Sequence, residues 1–157
     1  MAGRFAFRFE TLLRLRKQRE DERKRVVAAR LRLIGDILQR RNNLLNSITE
    51  QTETLRSALR VGEVDVDQVR WGRHWLTHLR RGVLESDAEL SGHRAMLAQE
   101  RATLVQARKD TEVLARLRER RLEAWSAETA RREQIESDDM NTLRFAHLSL
   151  AESEERS

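Results

Sequence analysis

The sequence has 157 residues, of which 36% are charged and 4% aromatic, with no proline, no cysteine, six glycines and a net charge of +5. That composition excludes a disulfide scaffold and thiolate chemistry, and it lacks the β-branched and aromatic runs, bounded by turn residues, from which strands are built. Arg, Leu, Ala and Glu dominate, as they do in long helices and coiled coils.

No apolar run approaches the roughly 18 residues that would suggest a membrane span. The opening "MAGRFAFRFE" has no continuous apolar h-region, so a signal peptide is not expected. These readings predict a cytoplasmic protein. Charge is uneven along the chain. Residues 1–60 carry 15 Lys and Arg against 7 Asp and Glu, whereas residues 61–157 carry 16 against 19. A basic half can signal nucleic acid. Here, however, acids precede bases by four residues at Glu10/Arg14, Glu20/Lys24, Asp21/Arg25, Asp36/Arg40, Glu112/Arg116 and Glu128/Arg132. Such pairs contribute about 0.2–0.5 kcal/mol each on a helix surface. The pattern favours solvated helix faces, and no nucleic-acid partner is expected.

The first element is a helix over about residues 8–61. Val27, Ile34, Ile48 and Leu55 form a seven-residue ladder interrupted by Arg41, with Ile37, Leu44 and Ala58 three residues further on and Leu31, Leu38, Leu45 and Leu59 beside them. That stripe is the mark of a helix packed along its length. It vanishes from Arg16 to Arg25, where all ten residues are polar or charged. This segment can stay helical through propensity and ion pairs, but it buries little.

The break falls at "LRVGEVDVDQVRW", with the turn over about residues 62–65. Gly62 suits the left-handed position past a helix end. Asp65 offers an N-cap oxygen, with Gln68 placed for a capping box. So short a connection makes its two helices antiparallel neighbours.

The second helix covers about residues 66–147, followed by a frayed acidic tail at 148–157. Leu76, Val83, Leu90, Leu97 and Leu104 form a five-step ladder, and Gly72, Gly82 and Gly92 lie within it. Folding back at the turn pairs residues whose numbers sum to about 127, so Ile37 faces Leu90, Leu44 faces Val83 and Ile48 faces Leu79. At 1.5 Å per residue, helix one spans roughly 75–80 Å and helix two roughly 110–120 Å, so helix two overhangs. The expected fold is all-α: a long antiparallel two-helix coiled-coil hairpin with an overhanging C-terminal helix, one domain over 1–157.

Trp125 sits in the charged run "RLRERRLEAWSAETARREQ", and the pairing rule brings Phe5, Phe7 and Phe9 beside it. The cluster reads either as an aromatic cap of the hairpin end or as a surface for another protein. Trp71, Trp75 and Leu79 stand at i, i+4 and i+8 just past the turn, with Trp75 and Leu79 expected to point partly outward. They read either as the core of the tip or as a docking patch, since tryptophan is a favoured interface anchor.

Signals for catalysis are nearly absent: there is no phosphate-cradling glycine loop and no nucleophile elbow. His74 and His78 have a zinc-compatible spacing, but Trp75 stands where the motif needs Glu and no third ligand is near. No metal, no cofactor and no enzymatic activity are expected.

Three stretches in order resemble the FliJ family, soluble stalk proteins of the bacterial flagellar export apparatus. "FRFETLLRLRKQREDE" (Phe7 to Glu22) is similar to the family's opening. "HWLTHL" (His74 to Leu79) resembles its aromatic-leucine motif. "LVQARKDTEVLARLRERRLEAWSAETARREQIESDD" (Leu104 to Asp139) resembles its carboxy-terminal pattern, with Leu114, Arg121, Leu122, Glu123, Trp125, Glu133, Gln134 and Asp138 in step. Trp125 stands where tyrosine is common, and Asp139 where glutamate is usual.

The resemblance implies a non-enzymatic adaptor. Its coiled coil would bind and promote the hexameric export ATPase and link it to the cytoplasmic domain of the membrane export gate and to export chaperones. It would be cytoplasmic and peripheral to the inner membrane through protein partners only. Phe5, Phe9, Arg14, Arg16, Arg118, Arg121 and Trp125 would form the ATPase-binding shaft end. Trp75 and Leu79, opposed by Leu44, Leu45 and Ile48, would form the gate-binding patch. The equivalent stalk of a virulence secretion system, a generic coiled-coil scaffold and a nucleic-acid-binding helical arm stay open as alternatives.

Overall fold

The structure, a computed structural model, describes residues 4–60, 62 and 65–154, with side chains given as far as 146. Two helices account for it: α1, Glu10–Arg60, and α2, Val66–Glu154. The chain divides into two compact units, Gln18–Arg108 on the one hand and Met1–Lys17 with Lys109–Ser157 on the other.

In the Gln18–Arg108 unit α1 and α2 pack antiparallel. Val27, Ile34, Ile37, Leu90 and Leu97 are buried together, with Leu38 and Leu104 against them. The buried and half-buried positions of α2 step alternately by three and four: Leu76, Leu79, Val83, Ser86, Leu90, His93, Leu97 and Glu100. The matching positions of α1 are Val27, Arg30, Ile34, Ile37, Arg41, Leu44, Ile48, Gln51 and Leu55. These are the a and d sites of a coiled-coil seam. Leu31, Leu45 and Leu59, grouped with the stripe by sequence, lie on the exposed side instead, because they fall one residue off this alternation.

Several seam sites are polar and are matched across the helices. Arg30 forks onto Glu100 through Nε and Nη2, the latter at 2.8 Å from Oε1. Its Nη1 donates to His93 Nδ1 at 2.9 Å. A guanidinium has no acceptor, so in this contact it is Nδ1 that accepts. Arg41, the interruption of the helix-one ladder, donates from Nε to Asp87 Oδ1 at 2.5 Å. Arg40 pairs with Glu89. Glu20, largely shielded, receives Lys24 at 2.8 Å and Arg108 at 3.7 Å. Residue numbers across these pairs sum to between 123 and 130, in keeping with the expected register.

Of the six expected i, i+4 pairs, Glu20/Lys24, Glu112/Arg116 and Glu128/Arg132 form. In two of the other three the second helix competes, Glu10 going to Arg118 and Arg40 to Glu89, and in the third Asp21 goes to Lys24 on its own helix.

At the turn Gly62 has φ of 84°, the left-handed region that only glycine enters at no steric cost. Asp65 Oδ1 accepts from the amides of Asp67 at 2.9 Å and Gln68 at 3.4 Å, which satisfies donors the first turn of α2 leaves open. Val61, Glu63 and Val64, within or beside the expected turn, lie outside the described residues. Two glycines in α2 have a packing role. A Cβ on Gly72 would sit 2.7 Å from Leu55 Cδ2, and one on Gly82 would sit 3.2 Å from Leu44 Cδ1. Leu55 and Leu44 thus occupy the space that side chains at 72 and 82 would fill. Around Gly92 the space is open.

In the other unit, residues 4–9 precede α1, whose first turn takes Glu10 N to Phe7 O and Leu13 N to Phe9 O. Leu13 and Thr111 are buried. Arg16 Nη1 meets Asp110 Oδ2 at 2.8 Å, and Arg118 Nε meets Glu10 Oε2 at 3.0 Å. From Ala130 to Ala146 every side chain of α2 is exposed. The helix continues to Glu154, past the end expected at 147, because nothing in "AHLSLAESE" is a helix breaker. Glu155, Arg156 and Ser157 of the expected tail lie outside the described residues.

Two outcomes are expected from this packing. Gly92→Ala should stabilise the chain by about 1 kcal/mol through helix propensity alone. Gly72→Ala should gain less than that or destabilise, because Leu55 must move; urea unfolding followed by circular dichroism compares the two. The second outcome concerns acid. The hydrogen bonds from Arg30 hold the Glu100 carboxyl below the usual carboxylate range, and the same contact raises the Arg30 guanidinium. A lowered carboxylate stabilises the fold above its unfolded value, about 4.3. That stabilisation is lost as pH falls from there through the folded value. Glu100→Gln should therefore be less stable than the parent at pH 7, and the gap between them should close as the pH drops below that point, read from urea midpoints at each pH.

Candidate functional site

Two aromatic surfaces stand out, one in each unit. In the unit formed by the chain ends, Phe5 packs on Trp125 with ring centroids 5.8 Å apart and planes tilted by 54°. Phe7 and Phe9 meet edge to face at 5.8 Å, and the Arg8 guanidinium lies 5.8 Å from the Phe9 ring. Arg4, Ala6, Leu117 and Arg121 complete the lining of a cleft of about 570 Å³. The cleft forms because residues 4–7 precede the helix without regular structure and residues 8–9 turn into it, which sets the Phe5 and Phe7 side chains of this segment against α2. Its walls are apolar, its rim carries three arginines, and no carboxylate lines it.

Of the residues expected at the shaft end, Phe5, Phe9, Arg121 and Trp125 come together in this cleft. Arg16 and Arg118 lie in the same unit but are engaged by Asp110 and Glu10. Arg14 is exposed and does not line the cleft. Arg4, Phe7, Arg8 and Leu117 were not singled out for the shaft end. The signal for three of them is present in the Arg/Phe pattern of "RFAFRF", which puts both chemistries in one short segment.

In the Gln18–Arg108 unit, Trp71 and Trp75 stack with centroids 5.9 Å apart and planes 8° apart. His78 continues the stack at 5.3 Å from Trp75. Trp71 is 63% exposed and Trp75 38%. Leu79 is 4% exposed and belongs to the seam, in keeping with its expected pairing with Ile48 and with the tip-core reading, and not partly outward. The reason is the three-residue step from Leu76, which places 79 at the next seam site, while the four-residue steps 71, 75 and 79 drift around the helix. On α1, Leu44 lies over Gly82, Ile48 is half-buried and Leu45 is exposed. His74 makes no such stack, and among the described residues no group of three His, Asp or Glu could hold a metal ion. No helix among the described residues is long and apolar enough to cross a membrane.

Two long helices packed antiparallel, with aromatic surfaces near the turn and near the chain ends, define an all-α helical hairpin. The family model described as "Flagellar FliJ protein" matches residues 5–148, nearly the whole chain. The chain belongs to the FliJ family, and as such is a component of the flagellar export apparatus and of type III secretion. No curated protein and no solved structure matches it.

The two surfaces separate packing from exposure. Leu79→Ala should destabilise the chain by roughly 2–5 kcal/mol, whereas Trp71→Ala should stay within about 0.5 kcal/mol of the parent. Urea unfolding of the two variants measures the difference.

Proposed function

We propose that this chain is the non-enzymatic, central-stalk-like component of the export apparatus, acting in the cytoplasm. Its aromatic-arginine end binds the hexameric export ATPase and promotes its assembly and activity. The Trp71–Trp75 face meets the cytoplasmic domain of the export gate, and the chain serves export chaperones as an escort. It reaches the inner membrane through these partners.

The observation that carries this reading is the cleft of Phe5, Phe9, Arg121 and Trp125 with its arginine rim. An arginine fork matches carboxylates and carbonyls, the groups a ring of subunits presents to its lumen. Aromatic side chains give large contact area at low ordering cost. Arg14, which is exposed, adds a long-range attraction, whereas Arg16 and Arg118 hold the end together through their ion pairs. For the gate face, Trp75 with Trp71 supplies the contact. Leu79, with Leu44 and Ile48, sets the backbone beneath it, and Leu45 lies exposed on α1.

Adding the chain should raise the turnover of its cognate export ATPase, and saturating protein with no change in rate or oligomeric state defeats the proposal. Trp71→Ala with Trp75→Ala should weaken gate binding roughly tenfold or more while leaving ATPase stimulation in place. Equal loss of both activities would assign the pair a structural role.

A further inference from the structure

The composition of the aromatic cleft narrows what can fill it. Arg4 and Arg8 stand on one wall with Phe5 and Phe7 between them, and Arg121 stands on the other. Leu117, Arg121 and Trp125 are spaced by four residues, so they share one face of α2. The three arginines are exposed and meet no carboxylate among the described residues. Arg8 has only the Phe9 ring, at 5.8 Å, which leaves its donors open. By contrast Arg16, Arg116, Arg118 and Arg132 of the same unit hold Asp110, Glu112, Glu10 and Glu128, and none of the four lines the cleft. Between the walls the Phe5 ring covers only part of Trp125, which is 37% exposed. A space of about 570 Å³ thus has open aromatic surface within it and a cation on either side.

We propose that the cleft takes one apolar side chain of a partner protein, with a carboxylate before it and another after it along the partner's chain. A ligand with one carboxylate would satisfy one wall and leave the other cation facing apolar surface. An arginine fork holds a carboxylate through two parallel donors, so each wall can fix one acid. In an extended segment alternate side chains share a face. The pattern acid, any residue, apolar, any residue, acid therefore directs all three side chains into the cleft. A flat anionic surface can reach the arginines but cannot fill the concavity between them. The inference deepens the ATPase reading and rests on it for which protein carries the segment; the preference of the cleft itself can be measured without that protein.

Nitrogen–proton correlation spectra of the full chain, titrated with the blocked peptide Glu-Ser-Phe-Ser-Glu, test it. The chain has three tryptophans, so three indole signals report separately. The Trp125 signal should shift and saturate while those of Trp71 and Trp75 stay in place. Exchanging both glutamates of the peptide for glutamine, or its phenylalanine for serine, should weaken binding roughly tenfold or more. Arg121→Glu should weaken binding of the original peptide to a similar extent, with unmoved Trp71 and Trp75 signals showing that the chain is still folded. An unmoved Trp125 signal overturns the proposal, and so do equal shifts of all three indoles or a glutamine peptide that binds as well as the glutamate one. Phosphatidylglycerol vesicles that perturb Trp125 where the peptide does not would make the occupant a lipid surface and overturn it too. A chain that stimulates the export ATPase but ignores the peptide defeats this inference alone. One that binds the peptide as expected and leaves the ATPase unchanged supports it and defeats the stalk reading alone.

Discussion

The alternating three- and four-residue seam between α1 and α2 fixes every other feature of the Gln18–Arg108 unit. Ile34, Ile37, Leu90 and Leu97 supply its apolar layers. Burial of each such side chain contributes roughly 1.5–3 kcal/mol, so a few layers carry much of the pairing. A sheet or a globular core could distribute that burden in three dimensions. Two helices cannot, and a slip of one residue would turn the leucines outward. The exposed Trp71–Trp75 stack is a consequence: once Leu76 and Leu79 are committed to the seam, the indoles four residues apart are left on the flank.

Register in such a seam needs more than leucine, because apolar layers resemble one another and tolerate sliding by whole heptads. The polar layers remove that freedom. Arg30 needs both Glu100 and His93 to satisfy its fork, and Arg41 needs Asp87. A shifted pairing would strand a guanidinium among leucines, at a cost well above what the matched pair contributes. Polar seam residues that set register while contributing little stability are a known use of such positions.

Much of this was legible in the residues. The ladder Leu76, Val83, Leu90, Leu97 located one half of the α2 seam, and the glycine–aspartate pair located the turn. The other half was harder to see because Ser86, His93 and Glu100 occupy it, and a search for apolar repeats passes over them. Leu79 carries two signals: the register pairs it with Ile48 and its three-residue step from Leu76 keeps it in the seam, whereas the four-residue spacing from Trp71 and Trp75 points it to their face, and its burial follows the seam. Arg30 carried no local sign of its role. Its partners lie 63 and 70 residues away, and only the fold brings them together. The pairing of Phe5 with Trp125 could be reached from register alone, whereas the cleft between them depends on the non-helical path of residues 4–9, which no periodicity reports.

If the chain-end unit meets a ring of subunits as proposed, the aromatic cleft changes what that contact can do. A fringe of exposed arginines interacts with many positions about equally, because each surface ion pair is worth little and is screened by salt. Such a contact allows turning. A cleft with tilted and edge-on rings is different, because ring contacts are directional, and the proposed hexameric partner would present six equivalent subunits to it. An end built from both elements would be attracted to every subunit and gripped by one at a time. Under the proposed ring contact, the arginines would set the rate of encounter, and Phe5, Phe9 and Trp125 how long a given contact lasts. Both roles follow from the side-chain chemistry at that end and require no change in the seam that supports it.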